Sequence, residues 1–130
     1  MEFDKIIKSL TKEIEYAKEN YVPIIRDKSA KFLYDYVKEN NIKNILEIGT
    51  AIGFSGSIML GAGAEKLTTI EIKDKYYNIA KATFEKMGFK DRIQMYLGDA
   101  KNIIKDLVDN NDTYDMIFLD GAKGQYLYYL

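Results

Sequence analysis

The chain is predicted to fold as an α/β domain, a parallel sheet with helices on both faces, preceded by two N-terminal helices. Three observations predict this. From residue 44 onward, apolar runs of strand length alternate with amphipathic runs of helix length. The first of these strands runs directly into a glycine turn, Gly49-Thr50-Ala51-Ile52-Gly53, with a helix starting behind it. The chemically unusual residues then gather at strand carboxyl ends: Glu47 and Gly49 after the first, Glu71 after the second, Gly98-Asp99 after the third, Asp120-Gly121 after the fourth.

Each element follows from local pattern. Over residues 3–20, Phe3, Ile6, Ile7, Leu10, Ile14 and Ala17 recur at helical spacing, which predicts one helix. Pro23, the single proline, breaks the chain before a second helix at about 27–40, whose predicted buried side carries Ala30, Phe32, Leu33, Tyr36 and Val37. Strands are then predicted at 44–48, 67–72, 93–97 and 114–120, with helices at 54–60, 76–87 and 100–108. Asp74 and Asp99 occupy N-cap positions, and Gly88 a C-terminal cap position. Strands so separated imply right-handed crossovers. The fourth strand, Met116-Ile117-Phe118-Leu119, is apolar throughout and is expected to have neighbours on both sides. The chain instead closes on Gln125-Tyr126-Leu127-Tyr128-Tyr129-Leu130, which reads as the first turns of an unfinished helix. Either a truncated chain or a partner covering this edge is expected.

Composition excludes several kinds of chemistry. The 130 residues make one domain, 47% hydrophobic and 30% charged, with a net charge of -1 that gives no global case for nucleic-acid or membrane binding. Without cysteine there are no disulfides, thiolate metal sites or cysteine nucleophiles, and without histidine there is no His-based triad or histidine base. Acid–base work falls to Asp, Glu, Lys or Tyr. No signal-peptide or membrane-span pattern is present, so a cytoplasmic location is expected.

The ligand class is narrowed by what surrounds the turn. Glu71 closes its strand eighteen positions after Gly53, the spacing at which an acidic residue in a Rossmann-like unit accepts hydrogen bonds from a ribose diol. A dinucleotide site would need G-x-G-x-x-G to seat its pyrophosphate, but Ala51 stands at the middle glycine and there is no P-loop lysine. The loop therefore suits an adenosine ligand without phosphates, with Glu47 available to an ammonium or sulfonium tail. S-adenosylmethionine meets these demands. An NAD-dependent oxidoreductase is disfavoured by the missing glycine, and a non-catalytic cofactor-binding module is a third reading.

Four segments carry a family resemblance: Glu47-Ile48-Gly49-Thr50-Ala51-Ile52-Gly53-Phe54-Ser55, Glu71, Gly98-Asp99-Ala100, and Phe118-Leu119-Asp120-Gly121-Ala122-Lys123-Gly124-Gln125-Tyr126. Together they resemble the cation-dependent class I O-methyltransferases, the group containing catechol and caffeoyl-CoA O-methyltransferases. The similarity runs over nearly the whole chain, including Pro23-Ile24-Ile25. The run from Asp120 to Tyr126 is most similar to bacterial enzymes that methylate 5-hydroxyuridine in tRNA to 5-methoxyuridine. Caffeoyl-CoA enzymes more typically have an acidic residue where Ala122 stands.

The resemblance implies roles for individual residues. Gly49 and Ser55 would hold the methionine moiety, Glu47 would lie near its ammonium, Glu71 would take the ribose, Asp99 and Ala100 would border the adenine, and Ile25 would cover the methionine end. Asp120 would complete the cofactor site and be the first carboxylate on a divalent cation, Mg²⁺, and Lys123 would be the general base. It implies a tRNA or a small hydroxylated acceptor as partner, and a homodimer in the full-length protein. The family completes its metal site with an Asp-Asn pair after a fifth strand, within a seven-stranded sheet. This chain stops before that point, so it is expected to be inactive alone. Tyr126, Tyr128 and Tyr129 read as helix packing rather than as a base-stacking platform.

Overall fold

The computed structural model describes residues 1–119. Four strands, β1 (Asn44–Ile48), β2 (Lys66–Glu71), β3 (Ile93–Leu97) and β4 (Met116–Leu119), form one sheet in the order β3-β2-β1-β4. Every pairing is parallel. The helices are α1 (Phe3–Ser9), α2 (Thr11–Glu19), α3 (Asp27–Glu39), α4 (Phe54–Gly61), α5 (Asp74–Lys86) and α6 (Ala100–Asp109), with a 3₁₀ turn at Lys90–Arg92. The order runs outward from β1 through β2 to β3, then returns to β1's other side with β4. That reversal makes the carboxyl end of β1 the crevice in which ligands of open α/β sheets bind.

Two layers of helix enclose the sheet, as predicted. On one face Ile45 and Leu67 pack with Ile6 and Leu10, with Ala30, Leu33 and Val37 of α3, with Ile58 and Met59 of α4, and with Ala80 and Phe84 of α5. On the other face Leu46 and Ile70 meet Leu107 of α6, flanked by Tyr96, Ile103 and Tyr114. All of α4 is buried, so it fixes the depth of the turn that precedes it. Among the described residues no helix is long and apolar enough to cross a membrane.

Several sequence expectations are corrected. The expected first helix is two, α1 and α2, broken at Leu10, whose φ and ψ are -102° and 15°. Ser9 and Thr11 bend back to donate to the carbonyls of Lys5 and Lys8, and the Lys86 ammonium takes the Ser9 carbonyl at 2.9 Å. Those bonds give the backbone an alternative to an unbroken helix. On α3, Phe32 and Tyr36 are exposed rather than buried, with rings stacked at 6.1 Å. The buried stripe is instead Ala30, Leu33, Tyr34 and Val37, one helical face, and the Tyr34 hydroxyl donates to the Met1 carbonyl at 2.6 Å. Asp74 is the first residue of α5 rather than its cap, because the helix starts one residue after Lys73. Asp99 does cap α6, accepting from the Lys101 N–H at 2.8 Å, and Gly88 sits just past α5 at φ +78°.

β4 lies at the edge of the described sheet. It pairs with β1 and, among the described residues, with no second strand, so Ile117 is 40% exposed. Its start is held by a reciprocal clamp. The Asp115 N–H donates to the Asn44 carbonyl at 2.8 Å, while its carboxylate accepts from the Lys43 and Asn44 N–H groups at 2.9 Å each. These two donors hold the Asp115 carboxyl below its ordinary value. The expected continuation through Asp120, and the unfinished helix at 125–130, lie outside the described residues.

Two measurements test this packing. A Cβ on Gly56 would stand 2.8 Å from Leu67 Cδ2 and 2.8 Å from Phe84 Cζ, inside the core. Gly56→Ala is therefore expected to destabilise the fold by about 1–3 kcal/mol in urea denaturation, since a filled core resists added volume. Because the folded Asp115 carboxylate binds its proton less tightly than the unfolded one, its contribution is complete above the ordinary aspartate range. It fades as pH falls through the lower folded value. Asp115→Asn should be less stable than the parent near neutrality, with the gap closing in strong acid.

Candidate functional site

The turn after β1 is set by three residues with positive φ: Gly49 at 93°, Ala51 at 49° and Gly53 at 88°. At Gly53, which caps α4, an added Cβ would meet Ala80 and Phe84 at an ordinary 3.4 Å, so conformation rather than space calls for glycine. Ala51 is not a glycine and is held in the left-handed region by its N–H, which donates to Glu71 Oε1 at 2.7 Å. The Gly49 and Thr50 N–H groups both reach the Ile70 carbonyl, at 2.9 and 3.2 Å, and the Gly53 N–H reaches the Thr50 carbonyl. The turn thus lies strapped across the end of β2. Gly49 and Gly53 serve its shape, and their own N–H groups are engaged.

Beneath the turn lies a buried carboxyl group. Glu47 is 0% exposed on β1, and both its carboxylate oxygens accept hydroxyl hydrogens. Ser55, in the first turn of α4, donates to Oε2 at 2.5 Å, and Thr69, opposite Glu47 on β2, donates to Oε1 at 2.8 Å. Thr69 in turn lies 2.6 Å from the Thr50 hydroxyl. Ser55, Thr69 and Thr50 are all buried. A carboxyl group so buried is kept by the hydrogen bonds its oxygens receive.

At the end of β2, Glu71 is also nearly buried, its second oxygen accepting from the Lys73 N–H at 3.0 Å. A carboxylate offers about four acceptor positions, so these two backbone donors leave capacity for hydroxyl groups of a ligand. The Gly98 N–H donates to the Glu71 carbonyl at 2.9 Å, which brings Asp99 and Ala100 beside Glu71. Asp99 is exposed and Ala100 half-buried. The crevice therefore gathers Glu47, Gly49, Ser55, Glu71, Asp99 and Ala100 around three neighbouring strand ends.

Ile25 is placed differently. It is half-buried in the segment before α3 and lines an apolar groove of about 480 Å³ with Phe32, Tyr36, Met116 and Phe118. It thus lies on the α3–β4 side. Asp120 and Lys123, expected as metal ligand and general base, lie outside the described residues. Among the described residues no three acidic side chains gather as a metal site would require.

Thr50 and Thr69 were missed by sequence reasoning. Register parity held the signal: Thr69 stands two residues before Glu71 on a strand buried from Leu67 onward, on the sheet face it shares with its partner Glu47.

With this geometry in hand, comparison with known proteins gives a consistent result. A protein-family model described as O-methyltransferase matches residues 2–130. A catechol O-methyltransferase of Niastella koreensis is 33% identical over 102 residues, 76% of this chain and 46% of that protein. Caffeoyl-CoA O-methyltransferase 5 of Nicotiana tabacum is 32% identical over 104 residues, 76% of this chain and 43% of that protein. The chain thus spans less than half the length of these curated relatives. The crystal structure of an O-methyltransferase from Bacillus cereus in complex with SAH superposes with a TM-score of 0.77 at 25% identity, covering 88% of this chain and 54% of that one. A match over residues 2–130, on a sheet and strand-end crevice of this form, makes the chain a member of the O-methyltransferase family.

Proposed function

We propose that the chain is the cofactor-binding half of an S-adenosylmethionine-dependent O-methyltransferase. The observation that carries this reading is Glu47, a fully buried carboxylate directly under the glycine turn. In a dinucleotide site a pyrophosphate sits over that turn on the helix N-terminus. A buried anion there opposes phosphate and favours a cationic ligand end, such as the ammonium and sulfonium of S-adenosylmethionine. Glu71, at the next strand end, accepts from the ribose hydroxyls, and Asp99-Ala100 flank the adenine. Kinship with a protein solved in complex with SAH supports the same cofactor.

In this reading Glu47 acts on the ligand's ammonium through its field rather than by contact, because the turn and Ser55 cover it. Gly49 and Ser55 shape the wall at the methionine end. When bound, the cofactor supplies an electrophilic methyl group whose transfer to an acceptor oxygen needs alignment above all. Lys123 would take the acceptor's proton, and Asp120 would be one carboxylate on a divalent cation such as Mg²⁺. One carboxylate does not make a Mg²⁺ site, and the described residues contribute no others. The acceptor is a hydroxylated molecule: the wobble 5-hydroxyuridine of a tRNA, or a small phenolic or acyl-CoA compound like those named for the curated relatives. A homodimer is proposed.

Titration calorimetry with S-adenosylhomocysteine tests the cofactor. Binding that NADH does not compete is expected; displacement by NADH would favour an oxidoreductase. Glu71→Gln is expected to weaken the nucleoside by about tenfold, the loss of a charge-assisted hydrogen bond. Purified 130-residue chain supplied with S-adenosylmethionine, Mg²⁺ and catechol or 5-hydroxyuridine-bearing tRNA is expected to transfer no methyl group. Turnover in that assay would place a complete catalytic site within these residues.

A further inference from the structure

The outer stripe of α3 carries its charges in reverse. Lys28, Phe32, Tyr36 and Glu39 fall within about a quarter of the helix circumference at about 3.6 residues per turn. Lys28 stands in the first turn and Glu39 is the last residue, both exposed. A helix favours acid at its start and base at its end, and Asp27 and Lys38, on another face of α3, follow that rule. Lys28 and Glu39 oppose it, so the helix itself does not account for their order. Lys31 and Asp35, next to the stripe, are paired with each other at 2.8 Å. Between Lys28 and Glu39 lie the stacked rings of Phe32, 70% exposed, and Tyr36, 44% exposed. The stripe thus runs from cation through an aromatic pair to carboxylate.

Lys28, Phe32 and Tyr36 also form one wall of the apolar groove whose other wall is β4. That strand pairs on one side only among the described residues. Its run Met116-Ile117-Phe118-Leu119 carries no charge, and the Asp115 carboxylate beside it is committed to the Lys43 and Asn44 N–H groups. The sheet's other edge, β3, is guarded by polar groups: Gln94 donates to the Tyr96 hydroxyl at 2.7 Å, and Lys81, Glu85 and Lys90 stand along it. An unguarded edge beside an exposed aromatic stripe is a surface suited to docking.

The order of the charges selects the partner. α3 enters β1 through the short link 40–43, so it runs opposite to β1 and to β4, which is parallel to β1. A twofold axis perpendicular to the sheet, at the outer edge of β4, sets β4 antiparallel to its copy and α3 antiparallel to its copy at once. Lys28 then faces Glu39 of the partner subunit, and the aromatic pair meets its own equivalent. A twofold interface needs a patch complementary to itself, and this stripe meets that condition only when reversed. We propose that the α3–β4 face joins two copies of this chain about such an axis. The assignment rests on the homodimer proposed above and gives it a surface; it does not depend on the cofactor.

Sedimentation velocity over a concentration series of the 130-residue chain tests it. The parent is expected to be a dimer that dissociates on dilution. Lys28→Glu and Glu39→Lys each set like charges against each other at both ends of the stripe, and each is expected to raise the dissociation constant by about tenfold or more. The double variant carrying both changes restores opposite charges and should return to the parent value. Phe32→Glu should be monomeric, with the parent's circular dichroism because its side chain is exposed. A parent dimer left intact by Phe32→Glu and by the single charge changes would overturn this interface while a homodimer through another surface stands. Single changes that weaken the dimer without rescue by the double variant would overturn the antiparallel pairing, and assembly beyond a dimer would overturn the twofold axis. A monomeric parent would mean that another segment or another protein covers this face, and would overturn the interface and the homodimer together.

Discussion

A carboxylate at the centre of a parallel sheet is the constraint around which this domain is arranged. Burying an ionised group with no partner costs far more than a small domain can spare, so Glu47 requires donors from every element within reach. Ser55 brings the first turn of α4 and Thr69 brings β2. Thr50 joins through Thr69 and brings the turn. The glycine conformations at positions 49 and 53 follow from that demand, since the chain must double back over β2 for these hydroxyls to converge. The all-buried α4 then caps the assembly, and its apolar sides give the main core its floor.

The second acidic residue works by another logic. Glu71 is satisfied by backbone, through the N–H groups of Ala51 and Lys73, and so behaves as a latch between the turn and the start of α5. A ligand's hydroxyls can share those oxygens without leaving the backbone groups unpaired. Glu47 thus ties the inside of the turn to α4 and β2 while Glu71 holds its rim. The two carboxylates differ in role because one is held by side chains and the other by main chain.

Much of this was legible in the sequence, and the parts that were not have physical reasons. Alternating strand and helix patterns gave the parallel sheet, and Glu47, Gly49, Gly53 and Glu71 stood out because charge and glycine are conspicuous among apolar residues. Thr50 and Thr69 did not, since threonine is common in strands for its shape alone and its hydroxyl becomes visible only when register places it opposite Glu47. The break at Leu10 was hidden because apolar spacing continues through it, while its causes include Lys86, distant in the chain. Phe32 and Tyr36 misled because aromatic residues beside a buried stripe look like part of it, whereas both are exposed along the groove toward β4. Ile25 was placed by resemblance, and no local pattern located it relative to the crevice.

The Asp115 clamp bears on how the domain assembles. β1, β2 and β3 are joined by short crossovers, whereas β4 must find β1 across a separation of 71 residues, from Asn44 to Asp115. Closing so long a loop costs chain entropy before any strand contact repays it, so β4 is the natural latecomer to the sheet. A late strand is exposed to register error, and a slip of one residue would turn Met116 and Phe118 outward and Ile117 inward. The paired N–H groups of Lys43 and Asn44 accept one alignment of the Asp115 carboxylate. The clamp therefore pins β4 to β1 in one register, at the end of the sheet opposite the crevice.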